Sequence, residues 1–458
     1  MRVWKGDKVM TSASGGRGHF RVRGVRAWVG RFVRGHVVLV VSAVAALVTM
    51  AMVPPDATYL GYFDLKTLAC LFGILALVGA LRGVGVFERA AQALVARFST
   101  CRAAVAALVG STLVLSMFAT NDMALVMMLP LAAATLLRAG WERVLPFTFI
   151  MQNLAANLGG MILPFGNPQN LYLSERYAIP LGDFMATMAL PFAVSMALIA
   201  LCCFAFTKPE PLQPAVGKGK SKGEMQAEAP AEQAAGAKHA SPDVFGITDN
   251  SVTASPEASV SAPAATPATP KDSQLSRRVR ALAYGALLVL VIASVLRAVP
   301  YPVAFGVVLV ALAVLDRRAL KSVDLGLLLT FVCFFVFAGN MARIPAVEAF
   351  FSQAMEHSAL LVSAGASQII SNVPAAVLLS HFTDSYPALL IGVNVGGAGT
   401  LVASLASLIA FNEYRAVRRG FPRREALARV TPGRYFVQFT VFNFTLLIVL
   451  LAVCLLII

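Results

Sequence analysis

Charge is what this sequence has least of. Asp, Glu, Lys and Arg together make up 13% of its 458 residues, and the acids are the scarcer half, 23 against 38 bases. A soluble domain ordinarily carries about 25% charged residues. A chain that is 58% hydrophobic with this little charge cannot cover itself in water. Cysteine is sparse as well. Cys70, Cys101, Cys202, Cys203, Cys333 and Cys454 form no CxxC pair and have no histidine at metal-ligand spacing, which excludes a disulfide framework and offers no metal site. A glycine-rich phosphate loop ending in Lys-Ser or Lys-Thr is missing, so ATP is not expected to be the energy source within this chain, and no cofactor is expected. Acids, histidines and nucleophile–base pairs are nearly absent from the apolar segments, which argues against a membrane-embedded enzyme acting on lipid-linked substrates.

What is present is a series of apolar blocks of about 17 to 25 residues, the length that crosses a bilayer as a helix. The chain reads as an all-α polytopic membrane protein in a lipid bilayer. Its first block, 37–53, ends at Pro54 and Pro55 without a small-residue cleavage site, so it reads as a retained span and not as a signal peptide. The net charge of +15 sits in the segments between blocks, where the positive-inside rule accounts for it, and no nucleic-acid partner is implied. Residues 1–36 hold nine Lys or Arg against the single acid Asp7, which puts the N-terminus in the cytoplasm. Span 37–53 then crosses outward and 65–81 returns, delivering Arg82, Arg89, Arg97 and Arg102 to the inside.

Two apolar arms follow, 103–118 and 123–137, each about 15 residues and so roughly 23 Å of helix against a hydrocarbon core of roughly 30 Å. Arg138 and Arg143 after them are basic again. A re-entrant hairpin that enters and leaves on one side fits this better than two crossings, and it brings the tip Thr120-Asn121-Asp122 near mid-membrane. Segment 144–173 crosses outward but is broken by Gly159, Gly160, Pro164, Gly166 and Pro168, and 185–206 brings the chain back. Residues 208–278, rich in Ala, Pro, Ser, Thr, Lys and Glu, read as a disordered cytoplasmic linker. Spans at 281–299, 301–315 and 325–340 precede a second short pair around "QIISNVPAAVLLS", then come 389–411 and 435–458, leaving the C-terminus outside.

The chain therefore divides into a basic N-terminus (1–36), a first transmembrane repeat (37–207), the linker (208–278) and a second repeat (279–458) of opposite orientation. "FDLKTLACLFGILALVGALRGVGVFERAAQAL" from Phe63 aligns with "VDLGLLLTFVCFFVFAGNMARIPAVEAFFSQAM" from Val323, sharing an opening Asp-Leu, then Arg82 or Arg343, then Glu88 or Glu348. "NLGG" at 157–160 recurs as "NVGG" at 394–397, each time after a hairpin tipped with Asn. Matched landmarks with reversed topology are the pattern of an inverted-repeat transporter.

In such a fold the solute and its coupling ion bind where broken helices expose free backbone groups. The candidates for holding a solute are Thr120, Asn121, Asn157, Asn167, Ser371, Asn372, Asn394 and Thr400, which offer neutral donors and acceptors. Helix N-termini beside the tips favour an anion. Asp122 can carry negative charge or a proton, and carbonyls freed at Gly159, Gly160, Gly396 and Gly397 suit a cation such as Na⁺. An acid at membrane depth is costly enough that a function is its default reading over helix-to-helix bonding. Asn167, Gln169 and Asn170 either line the path or satisfy the backbone that Pro164 and Pro168 break. His381 reads as a solvated interfacial residue before it reads as a proton sensor, and Met123, Met127 and Met128 as packing.

"FATND", "NLGGMILPFGNPQNL", "SQIISNVPAAVLL" and "GVNVGGAGTLVASLASLI" together resemble the motifs of the ion transporter superfamily, specifically citrate-transporter-like permeases related to arsenite-pump membrane subunits and sodium/dicarboxylate symporters. The resemblance covers nearly all of the chain outside its N-terminus and linker. It implies two inverted repeats, each with a re-entrant hairpin and an unwound helix, elevator-like movement of a transport unit against a scaffold, and a homodimer. In the dicarboxylate branch Ser-Asn-Thr tips hold carboxylates and Na⁺. This sequence keeps Ser371-Asn372 but has Val373 in place of the hydroxyl, and its first tip is Thr-Asn-Asp. The expected activity is secondary active transport of a small anion, citrate or another carboxylate, across the cytoplasmic membrane of a prokaryote, coupled to Na⁺ or H⁺. A Na⁺/H⁺ antiporter and an arsenite or antimonite efflux permease of the same fold stay open as alternatives, as does a separate ATPase partner.

Overall fold

Helix α1, Val37–Met52, contains no acid and no base, buries only Ser42, Ala46 and Thr49, and leaves Val41, Val44, Leu47 and Val48 exposed. An apolar surface of that kind is stable only against lipid. The same holds for α8, Leu181–Phe206, and α18, Pro432–Leu455, which bury a minority of their residues and expose Leu201, Phe204, Phe206, Val441 and Ile448. The computed structural model describes residues 37–95, 97–211, 270–321, 323–421 and 424–456. The basic N-terminus and most of the expected linker, 212–269, lie outside the described residues, as does the side chain of Glu88. Within the described residues every named element is helical, and seven helices are long and apolar enough to cross a membrane. The protein is an all-α polytopic membrane protein.

The helices fall into two sets. The first joins α1 to α12 (Leu325–Ala342), and packs α2 (Leu65–Gly83) on α9 (Pro270–Val295) and α10 (Tyr301–Leu315), with the short α11 (Arg317–Lys321) beside them. The Asp-Leu that opens each aligned segment is in both cases a helix N-cap. Asp64 accepts from the Thr67 backbone N–H at 3.0 Å to start α2, and Asp324 accepts from that of Leu327 at 3.0 Å to start α12. Arg343, which ends α12, pairs with Asp56 at 2.6 Å, and the guanidinium holds that carboxyl down at about 2. Helix α9 starts at Pro270, so the last residues of the expected linker, 270–278, are the first turns of a helix that continues outward from its apolar part.

The second set carries two hairpins and two interrupted helices. After the amphipathic α3 (Val86–Val95), α4 (Cys101–Phe118) and α5 (Asn121–Arg138) pack on each other as the first hairpin. Their arms are 18 residues each, or about 27 Å, longer than the sequence suggested because Thr100 caps α4 early and α5 starts at Asn121 itself. Met127 and Met128 on α5 are in the core. Helix α6 (Leu145–Gly159) ends in a 3-10 turn, Gly160–Ile162, and α7 (Pro168–Arg176) resumes after a loop. In the second half, α13 (Pro345–Ile370) departs from helical geometry at Ser358, which separates an amphipathic stretch from the entering arm of the second hairpin. α14 (Asn372–Leu379) is the returning arm. The apolar run expected as one span over 389–411 is two helices, α15 (Tyr386–Val395) and α16 (Leu405–Gly420), with non-helical 396–404 between them. α17 (Glu425–Arg429) precedes α18.

Each interrupted helix is pressed against the entering arm of its own hairpin through glycine. A Cβ at Gly159 would stand 2.6 Å from Ser116 Oγ and 3.0 Å from the Leu113 carbonyl of α4, and one at Gly396 would stand 2.9 Å from Ala364 Cα and from Ser367 Cβ of α13. Neither glycine has a positive φ, so close approach of backbones is what excludes a side chain there. Hairpin and break thus form one packed unit in each half. The two units meet where α5 packs on α16 and α14 packs on α7.

Candidate functional site

The tip of the first hairpin is an extended pair of residues, Ala119 and Thr120, followed directly by the N-terminus of α5. Thr120 is buried and makes no side-chain cap. Asn121 does the local work instead: its Oδ1 accepts the Asp122 backbone N–H at 3.0 Å. Its Nδ2 donates to Asn157 Oδ1 at 2.9 Å and to Ser404 Oγ at 3.3 Å. Because Asn157 lies one turn before the break at Gly160, the hairpin tip sits at the depth of the interruption, with helix continuing on both sides of it.

The tip of the second hairpin is Ser371, at φ 75° and ψ 154°. That region is populated almost only by glycine and costs a serine on the order of 1–3 kcal/mol. The surroundings hold it there. Ser371 Oγ donates to the Ala403 carbonyl at 3.3 Å, and the Asn372 backbone N–H donates to the same carbonyl at 2.9 Å. Ala403 and Ser404 are consecutive, so one residue step in the second break ties the two tips together, one through each residue.

A cavity of about 420 Å³ opens below both tips, and Asn121, Asp122, Ser371 and Asn372 line it. The remaining wall is chiefly apolar, from α1 and α12, from the hairpin residues on either side of Ser371 and Asn372, and from Val402, Leu405 and Leu408, with Pro168 and Ser404 also on it. Among the described residues, no Lys, Arg or His side chain lines it. A carboxylate placed there meets amides, hydroxyls and the first-turn N–H groups of α5 and α14. Asp122 Oδ1 is buried and without a partner among the described residues.

The other sequence candidates stand one layer behind. Asn167, 1% exposed, has neither carboxamide atom partnered among the described residues, and its Oδ1 lies where a Cβ on Gly160 would be 2.6 Å away. Asn170 spans the first break: its Nδ2 donates to the carbonyls of Gly160, Met161 and Leu163 at 3.2, 3.3 and 3.2 Å. Asn394 donates to Asn170 Oδ1 at 2.6 Å and accepts from Gln169 Nε2 at 3.3 Å, so it supports the first break from the second half. At the second break, Gln368 Nε2 donates to the Gly396 carbonyl at 2.7 Å while its Oε1 accepts the Thr400 N–H at 2.9 Å. Thr400 Oγ1 in turn donates to the Gln368 carbonyl at 2.9 Å. Gly397 lies between Asn372 and Asn394, where a Cβ would meet Asn372 Nδ2 at 3.0 Å. The carbonyls of Gly160 and Gly396 each accept one carboxamide N–H, from Asn170 and from Gln368.

Several residues escaped the sequence reading. Ser404 and Gln368 lie inside or beside quoted motifs but carry no charge to mark them. Gln152 donates to Thr112 Oγ1 at 3.0 Å, and Asn153 donates to Asn443 Oδ1 at 3.3 Å and accepts from Asn157 at 3.3 Å. The signal was available in the i, i+4 spacing of Asn153 and Asn157 on one helix face, and in the lone amide of the apolar run "VFNFT". His381 is half-buried in a loop between α14 and α15, not solvated as its interfacial position suggested.

A family model described as citrate transporter matches residues 28–388. Inner membrane protein YbiR of Escherichia coli (strain K12) is 29% identical over 356 residues, covering 76% of this chain and 79% of that protein. An uncharacterized transporter of Methanocaldococcus jannaschii is 26% identical over 349 residues, covering 75% of this chain and 79% of the relative.

Proposed function

The chain belongs to the citrate transporter family, and from that premise we propose that it moves a small carboxylate-bearing anion by secondary active transport coupled to Na⁺ or H⁺. The observation that carries the reading is the meeting of two unlike tips at one cavity, bridged by Ala403 and Ser404. The second tip offers Ser371, Asn372 and the N-terminus of α14 and no charge, which suits a carboxylate. The first tip carries Asp122, whose unpartnered oxygen suits a cation or a proton. Anion and coupling ion then sit side by side, each reducing the cost of bringing the other into a low dielectric.

The order hairpin, interrupted helix, long helix occurs in each half, and this supports reading 37–207 and 279–458 as inverted repeats whose hairpins enter from opposite faces. The name of the Escherichia coli relative supports a prokaryotic inner membrane as the location. The N-terminus and linker would be cytoplasmic, the C-terminus outside and the working form a homodimer.

Uptake of labelled citrate into vesicles under an imposed Na⁺ or H⁺ gradient tests the proposal, with dye-reported Na⁺/H⁺ exchange run in parallel. Exchange without citrate movement would favour the antiporter reading, which the half-buried acid at the first tip also supports. Asp122→Asn is expected to abolish or uncouple gradient-driven uptake while the protein still inserts. Normal coupled uptake by that variant would remove Asp122 from the mechanism.

A further inference from the structure

A second cavity, about 540 Å³, lies away from the tips, in the seam between α4 and α8. It is lined on α4 from Arg102 through Ala106 and Gly110 to Leu113, and on α8 from Met196 to Phe204. Eleven residue steps of helix from Arg102 to Leu113 make about 16 Å. That is close to half of a hydrocarbon core roughly 30 Å thick, the depth of one leaflet. The groove is apolar along this length and has a floor deep enough that a Cβ at Gly110 would meet nothing within 4 Å. Ala106, Ala200 and Phe204 on its rim are exposed.

Only one end of the groove is polar, and that end is basic. Arg102 donates through Nε and Nη2 to the Thr207 carbonyl at 2.9 and 2.7 Å, and its guanidinium lies 4.3 Å over the Phe204 ring. The side chain is therefore fixed at the mouth of the groove. Lys208 and Arg97 are exposed close to it in the chain. Among the described residues, the acids of this end, Glu210 and Glu142, are already engaged by Arg143 and Arg424.

We propose that this groove is a binding site for an anionic phospholipid, with an acyl chain along Ala106, Gly110 and Leu113 and the headgroup phosphate at Arg102 and Lys208. A one-leaflet apolar slot with a cationic mouth matches a lipid in length and in charge together. A helix from a second copy, about 10–12 Å across, needs a broader face than the single line of small residues on α4. Basic pockets between transmembrane helices are the usual docking places for acidic headgroups. Since α4 is an arm of the first hairpin, the lipid packs directly on an element of the transport unit.

Native mass spectrometry of the full-length purified protein, titrated with phosphatidylglycerol and with phosphatidylcholine of the same chains, tests it. The wild type should retain phosphatidylglycerol about fivefold more tightly than phosphatidylcholine, the contribution of roughly one basic contact. Arg102→Gln should reduce the preference for phosphatidylglycerol, and Arg102→Gln with Lys208→Gln should bring the two lipids level. Gly110→Trp should remove the retained lipid by filling the floor, and Ala106→Trp at the exposed rim repeats the block without entering the packed core. Equal retention of both lipids by the wild type would overturn the proposal. So would undiminished phosphatidylglycerol on both tryptophan variants, or a change of oligomeric state in those variants with no change in lipid count.

Discussion

The carboxylate of Glu175, at the end of α7, is the most informative single group to remove. Its side chain is 5% exposed and receives Lys66 of α2 at 2.6 Å and Arg297, just past α9, at 3.6 Å. Breaking a fully buried pair by deleting one partner costs about 3–5 kcal/mol, because the other charge is left uncompensated. Here the cations keep part of their water, with Lys66 22% and Arg297 44% exposed, so Glu175→Gln is expected to cost about 1–3 kcal/mol. Most of that belongs to Lys66, since a cation as exposed and distant as Arg297 contributes about 0–1 kcal/mol. Equilibrium unfolding in mixed micelles of Glu175→Gln, Lys66→Met and the double variant forms a cycle. A coupling of about 1–2 kcal/mol is expected between two residues in direct contact. Additivity within about 0.3 kcal/mol, or an unaltered Glu175→Gln, would refute the reasoning. The pair joins the α1, α2 and α9 to α12 set to the unit that carries the tips, so a transport cycle that moves one set against the other must break it. Altered transport by Glu175→Gln with the cavity intact is the functional counterpart of the same cycle.

Ser371→Gly removes a strained serine but also its bond to the Ala403 carbonyl, whereas Ser371→Ala removes the bond and keeps the strain. The glycine variant should be the more stable of the two by about 1 kcal/mol in the same unfolding assay, and the reverse order would show that φ 75° is not a cost here. His381 has its pKa pushed down to about 4 by burial and then by Arg176, against an unfolded value near 6.5. The unfolded chain therefore binds the proton first. Stability should be level above pH 6.5 and should fall as pH drops toward 4, by up to about 3 kcal/mol from this group. His381→Asn should flatten that part of the pH profile, and a slope that survives the substitution assigns it elsewhere.

Much of the architecture was legible because the bilayer makes strong demands on sequence. Runs such as 37–53 and 185–206 can be nothing but helix in lipid, and their structural counterparts differ by only a few residues. The breaks were legible from Gly and Pro: 159–168 is interrupted as those residues require, and 396–404 is interrupted where the repeated Asn-Val-Gly-Gly stands. Helix ends were less so. The α4 and α5 arms each begin two residues earlier than expected, α4 after the Thr100 cap and α5 at Asn121, because neutral polar residues start a helix through backbone geometry that spacing does not specify. The bridging role of Ala403 and Ser404 was not readable at all, since it arises from the docking of residues some 280 positions apart, Asn121 with Ser404.

That docking also explains why the carboxamides are so unevenly distributed. A broken helix at membrane depth leaves carbonyls that neither lipid nor an absent next turn can satisfy. Asn170 takes three of them at the first break, Gln368 takes the Gly396 carbonyl and the Thr400 N–H at the second, and neither residue faces the cavity. A charged side chain in those places would bring a desolvation cost that a carboxamide avoids, while a single amide can donate and accept at once. The neutral amides therefore do the structural work of holding the breaks open. The one acid at the tips, Asp122, is left without such work: it lines the cavity with an oxygen that no described residue engages. A half-buried carboxylate that stabilises nothing in the resting fold is disfavoured unless something else binds it, and that is the role the proposed coupling ion would fill at Asp122.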